Sequence, residues 1–218
     1  MPHKKIAVLT SGGLDSAILI HSLIEKGDRV WPVYVRSGHL WENAEIFWLK
    51  RFLKKVKSPR LKPLNILSCE TKDLYGTHWG FTGKNVPKAK TRDEAVYIPG
   101  KNLLLIAKAA VFCALHKIPN LALAPLATNP FPDATPEFFK SMARASSKGL
   151  GVRLKISAPF LRKTKREVMA LGQNLPLELT FSCIAPKKLF HCGCCNKCAE
   201  RKKAFQVSRL IDRTRYAR

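Results

Sequence analysis

An α/β fold with a doubly wound, mostly parallel sheet is predicted by three features of this 218-residue sequence. Short apolar segments rich in branched side chains alternate with longer ones whose apolar residues recur every three to four positions, the order that builds βαβ units. The first alternation turns through Ser11-Gly12-Gly13-Leu14-Asp15-Ser16, small flexible residues at the kind of strand-to-helix corner where open sheets bind ligands. Five of the seven cysteines crowd between positions 183 and 198, which marks a small metal-binding region. The expected organisation is an α/β domain over residues 1–178 with a zinc-binding C-terminal region, 179–218, packed on it.

Each element follows from its pattern. Residues 6–9 read as a buried strand and 17–24 as a helix, because Ile20, Leu23 and Ile24 return to one face. Residues 30–35 form a second strand, with Pro32 pointing to a sheet edge or a strand start. Residues 42–56 are helical, with Ile46, Leu49, Leu53 and Val56 sharing a face. A third strand is expected near 64–67. Residues 70–95 lack periodicity and read as a long excursion, a length uncommon in loops without a function. An almost wholly apolar helix runs from Lys101 to about residue 117 and contains Cys113, a core cysteine. A strand within 120–126, a helix carrying Glu137, Phe138 and Met142, and a late strand within 153–161 follow. Thr164 and Glu167 form a capping box that opens the next helix.

The corner at 11–16 suits an anion. Glycine there permits positive φ and close approach of a ligand, and the following helix presents unpaired N–H groups and the positive end of its dipole. It is neither a Walker loop nor a dinucleotide Gly-x-Gly-x-x-Gly turn. A plain glycine turn capped by Asp15 or Ser16 is the competing reading.

Cys192, Cys195 and Cys198 are spaced C-x-x-C-x-x-C, and Cys183 lies a short loop upstream. Four thiolates enclose one zinc ion and leave no open position, so the ion is structural. Substitution of Cys194 or His191 for one ligand, or an iron–sulfur cluster in place of zinc, remains open from spacing alone. Such a cluster favours metal over disulfides in a reducing compartment.

The net charge of +24 suits polyanionic partners, tRNA among them, or a basic and soluble surface with no such partner. No apolar run reaches membrane-spanning length and no signal-peptide core is visible, so the expectation is a cytoplasmic protein without membrane contact.

The SGGLDS string resembles the PP-loop of N-type ATP pyrophosphatases. Together with Ser182-Cys183, Cys192-Gly193, Cys195, Cys198, Arg201 and Ala204-Phe205, it resembles the 7-cyano-7-deazaguanine synthase family of queuosine biosynthesis. Pro99-Gly100-Lys101-Asn102 is similar to the family's PGRN, Pro132-Asp133 and Pro136-Glu137-Phe138 to its PD..PEF stretch, and Thr164-Lys165 with Glu167 to its TK.E helix. His39 and Glu42 match a histidine and a glutamate after the second strand. Two stretches depart. Tyr34, Val35, Arg36 and Ser37 stand where the family has Asp, Tyr, Gly and Gln, and Ala134-Thr135 stand where it has Cys-Arg; the acceptor of this divergent branch is therefore open.

The resemblance implies an adenine-nucleotide alpha-hydrolase-like fold and an ATP-dependent ligase that joins ammonia to a deazapurine carboxylate and dehydrates the amide. It implies that Ser11, Gly12, Gly13, Leu14, Asp15, Ser16 and Asn102 bind ATP, that Asp15, Ser16 and Lys101 are catalytic, and that Asp133, Glu137, His39 and Glu42 meet the substrate. Mg²⁺, one structural Zn²⁺ and a homodimer are expected with it. The alternatives are a PP-loop enzyme that adenylates a tRNA base and a non-catalytic, zinc-stapled nucleotide- or RNA-binding module.

Overall fold

The computed structural model describes residues 3–217. Five parallel strands, β1 (Lys5–Leu9), β2 (Arg29–Arg36), β3 (Asn65–Ser68), β4 (Asn120–Ala122) and β5 (Lys155–Ser157), lie in the order β3-β2-β1-β4-β5. The chain steps outward from β1 to β3, then returns to β4 on the other side of β1. That reversal opens a crevice at the carboxyl ends of β1 and β4.

Helices cover both faces because alternate strand residues point opposite ways. On one face Ile6, Val8 and Val30 pack with α1 (Leu14–Glu25), α7 (Lys165–Leu171) and Phe205 of α8 (Asn196–Val207). Tyr34 meets Ile46 and Leu49 of α2 (Glu42–Lys55). On the other face Ala7, Val33 and Val35 pack with α5 (Lys101–Leu115) and α6 (Pro136–Leu150). Fully buried Ile18, Leu49, Ile106 and Leu121 each contribute about 1.5–3 kcal/mol of apolar burial.

Pro32 corrects the edge expectation. It sits in β2, between β1 and β3, paired with Val8. The β2–β3 ladder begins only at Val33, after an isolated Val30–Leu61 bridge, so Pro32 occupies a gap where no β3 partner needs its missing N–H. The excursion is also more ordered than its composition suggests. It holds two single-turn helices, α3 (Lys72–Tyr75) and α4 (Trp79–Thr82), and a 3₁₀ turn at Asp93–Val96.

The C-terminal segment closes over this excursion. Ala89 N donates to Cys194 O at 3.0 Å and Asn196 N to Pro87 O at 2.9 Å. A third apolar cluster joins Trp41 and Trp48 of the α2 region, Val96 and Ile98, and Phe181, Cys183 and Cys198. The segment also touches the first corner of the fold, where Phe181 N donates to Gly12 O at 2.8 Å. Among the described residues no helix is long and apolar enough to cross a membrane.

Candidate active site

Residues 11–16 leave β1 and enter α1 at the crevice. Gly12 has φ +76°, and a Cβ there would lie 3.2 Å from Leu49 Cβ and 3.3 Å from Glu45 O, so only glycine lets α2 pack this closely on the loop. Its amide donates to Thr10 Oγ1 at 3.2 Å, and that hydroxyl donates to Ser16 Oγ at 3.0 Å. Gly12 therefore shapes the loop, while the Leu14, Asp15 and Ser16 amides supply the unpaired N–H groups. Gly13 is the N-cap of α1 and no side chain caps the helix; the first intrahelical bond is Ala17 N to Gly13 O. Three amides and the helix dipole thus face one point. Ser11, which is exposed, keeps its hydroxyl 3.4 Å from Gly13 N.

The loop forms one wall of a cavity of about 370 Å³ at the carboxyl end of the sheet, within the usual range for ligand sites. Asp15 reaches into it against Lys165 Nζ, 2.9 and 2.7 Å from its two oxygens. Burial pushes the Asp15 carboxyl above its ordinary range, and Lys165 opposes that rise. Burial works against the Lys165 ammonium too, but Asp15 and Glu200 together hold its pKa above the usual value. Glu200 continues the chain, 3.5 Å from Lys165 and 2.6 Å from Lys197.

Lys101 begins α5 on the opposite wall. Burial lowers its pKa, against the pull of Glu45 and Glu42, and it makes no ion pair among the described residues. Its ammonium lies 5.4 Å from the centre of the Trp41 ring. Asn102 is tied to Asp133, donating from its amide to Oδ2 at 2.9 Å and from its side chain to Oδ1 at 3.3 Å. Glu42 accepts from Ser37 N at 2.6 Å and Gly38 N at 3.3 Å, with His39 Nδ1 at 3.3 Å. Burial favours neutral His39, which stacks on Trp41 at 4.6 Å. Trp41 in turn stacks on Trp79 at 5.5 Å, and Tyr97 on Phe131 at 5.0 Å. These flat faces line the same cavity and suit a planar ring.

Glu137 stands apart. It is exposed in the first turn of α6 and does not line the cavity; at the positive end of that helix it complements the dipole. Several charged lining residues lie outside the site residues read from the sequence, among them Glu45, Lys165, Lys197 and Glu200. Glu45 carried a usable signal, since it shares the apolar face of Leu49 and Phe52 at helical spacing and a carboxylate in such a stripe needs a reason.

Behind the cavity the Cys183, Cys192, Cys195 and Cys198 thiols lie within 4.8 Å of one another. The Cys183–Cys195 and Cys192–Cys198 sulfur separations are 3.8 and 3.9 Å. A zinc tetrahedron with bonds of about 2.3 Å has edges of about 3.8 Å, so the donor set fits zinc. Backbone N–H groups of Ala185, Cys192 and Cys195 point at the sulfurs from 3.3–3.4 Å and stabilise thiolate charge. Cys194 is exposed and outside the cluster. His191 is turned away, its Nε2 accepting from Ser182 N at 3.2 Å.

The profile of the family described as queuosine biosynthesis protein QueC matches residues 5–209. The chain belongs to this family. A protein of Leptospira interrogans named 7-cyano-7-deazaguanine synthase is 31% identical over 229 residues, covering 97% of this chain and 90% of its own. A protein of the same name from Methanococcus maripaludis is 28% identical over 249 residues, covering 98% of both. Among solved structures, a predicted subunit of a tRNA methyltransferase from Methanocaldococcus jannaschii superposes with a TM-score of 0.51 at 12% identity, over 77% of this chain and 73% of its own. That likeness concerns the fold. For a family member, the SGGLDS corner, the aromatic cavity and the four-cysteine cluster lie in one contiguous assembly, joined through Phe181.

Proposed function

We propose that this chain is an ATP-dependent carbon–nitrogen ligase that converts 7-carboxy-7-deazaguanine and ammonia to 7-cyano-7-deazaguanine through adenylated intermediates. The observation that carries this reading is the meeting of an uncapped helix N-terminus, the Asp15–Lys165 pair and aromatic walls in one cavity, in a chain aligned almost end to end with relatives named for that synthesis.

A carboxylate is a poor electrophile; joined to AMP it carries a good leaving group, which ammonia displaces. Activation of the amide oxygen by a second ATP then permits loss of water to the nitrile. In this reading the Leu14, Asp15 and Ser16 amides, with the Ser11 and Ser16 hydroxyls, hold the departing pyrophosphate, and Gly12 and Gly13 give the loop its shape. Asp15, at the edge of the same loop, would hold or orient Mg²⁺, which would supply charge neutralisation for the phosphates. Lys101 meets the developing oxyanion, and its unpaired ammonium supports that role. Asn102 faces ATP, and Asp133, held rigid by its bonds to Asn102, presents a hydrogen-bonding edge to the deazaguanine ring. His39 and Glu42 border it, and Glu137 lies outside this set. Zinc on the four cysteines holds the segment that braces Gly12.

The test is a mass-spectrometric assay with ATP, Mg²⁺, ammonium and the deazaguanine acid. Nitrile and AMP formed by the wild type and abolished in Asp15→Ala support the reading. A folded, zinc-loaded protein that forms neither rejects this substrate. The net charge of +24 favours a second reading, adenylation of a tRNA base, which requires tRNA binding that weakens steeply with salt.

A further inference from the structure

We propose that Glu45 is the base that takes the proton from ammonia in this reaction, an inference that rests on the reading above.

Five carboxylates line the cavity: Asp15, Glu42, Glu45, Asp133 and Glu200. Four have both oxygens engaged. Asp15 is held by Lys165, Glu42 by Ser37 N and Gly38 N, Asp133 by Asn102, and Glu200 by Lys165 and Lys197. Glu45 alone keeps an oxygen free among the described residues: Oε2 accepts from Tyr34 Oη at 2.6 Å, and Oε1 has no partner. Its place is fixed, because its backbone carbonyl lies against Gly12 in the ATP loop. Tyr34 stands where the family pattern has aspartate, so in this chain α2 brings the carboxylate to a strand position that lacks one.

The chemistry requires such a group. Ammonia attacks the carbonyl carbon of the acyl adenylate, a C–N bond forms, and the nitrogen becomes positive. It loses a proton to the Glu45 carboxylate. The C–O bond to AMP then breaks, its electron pair leaving with the AMP phosphate, and Glu45 returns its proton to solvent. A base does this best when its pKa lies near the working pH. Burial pushes the Glu45 carboxyl up to about 8, against Lys101 and the Tyr34 hydrogen bond, with Glu42 adding to the rise. Those three groups are the charged and titratable neighbours that face it.

The experiment compares wild type, Glu45→Gln and Tyr34→Phe in two assays: amide and nitrile formation across pH, and ATP–pyrophosphate exchange driven by the deazaguanine acid without ammonium. The expected Glu45→Gln protein keeps exchange, which also shows that it folds. It loses about 100- to 10,000-fold in amide formation, together with the acidic limb of the pH profile when rates are expressed per unprotonated ammonia. Tyr34→Phe removes a donor to the charged form, so that limb moves to higher pH. Wild-type amide formation with an unaltered profile in Glu45→Gln overturns the proposal, as does an equal loss of exchange, which marks a structural role. A wild type that shows neither exchange nor amide overturns the underlying reaction, and this step with it.

Discussion

Lys165 Nζ grips both oxygens of Asp15, a residue 150 positions earlier in the chain, at 2.9 and 2.7 Å. The contact fixes the first turn of α7 to the first turn of α1 and sets a carboxylate with a compensating cation beside three unpaired amides. Both side chains retain some exposure, 26% for Asp15 and 19% for Lys165, so the pair remains open to the cavity.

Loss of that cation exposes what it compensates. Lys165→Met leaves a largely buried carboxylate near Glu200, and the expected cost is about 1–3 kcal/mol of stability in urea. AMP formation falls by about 100-fold or more. Lys165→Arg, which keeps the charge, recovers most of the stability but less of the activity.

The cysteine cluster predicts one zinc per chain by elemental analysis. Cys195→Ser or Cys198→Ser abolishes it, while Cys194→Ser leaves it unchanged. Chelation lowers Tm, because metal-binding free energy is folding free energy in such a segment. It also weakens ATP binding, measured by calorimetry, through the Phe181–Gly12 hydrogen bond.

Arg201 is 1% exposed and donates to Thr180 Oγ1, Leu177 O and Thr214 Oγ1 at 2.7–2.8 Å. It ties α8 to the turn before the zinc segment and to the C-terminal segment at Thr214. Arg201→Met leaves these acceptors unpaired, and a loss of about 2–4 kcal/mol is expected from denaturant titration. Arg201→Lys, without the planar fork, recovers little of it.

Glu45 lowers stability where it supports chemistry. Its folded pKa of about 8 exceeds the unfolded value. The folded state therefore binds more protons than the unfolded one, and stability declines as pH rises from about 4.5 toward about 8. Glu45→Gln removes that decline. The variant is expected to be more stable than wild type by about 1–2 kcal/mol near pH 9, with a smaller difference near pH 5, in parallel thermal melts.

What the sequence made legible was whatever it encoded locally. Branched runs marked the five strands, the Thr164–Glu167 capping box opens α7 with both bonds formed, and cysteine spacing located the thiol cluster. The pairing of Asn102 with Asp133 was hidden, because 31 residues separate them. Lys165 was legible only as part of the TK.E stretch and Glu200 not at all, because the fold must first bring α7 and α8 beside the loop. Glu45 stood out only as a carboxylate in the apolar stripe of Leu49 and Phe52; its partner Tyr34 lies on a preceding strand. Helix α8 was masked by the metal motif in which it begins, since Cys195 and Cys198 fill its first turn.

An adenylated carboxylate gives up one oxygen to AMP, and heavy-oxygen labelling follows that atom. The deazaguanine acid, labelled in its carboxylate, is incubated with ATP, Mg²⁺ and ammonium, and the released nucleotide is weighed by mass spectrometry. Transfer of the label into AMP is the predicted result. Unlabelled AMP, or ADP with labelled phosphate, contradicts it.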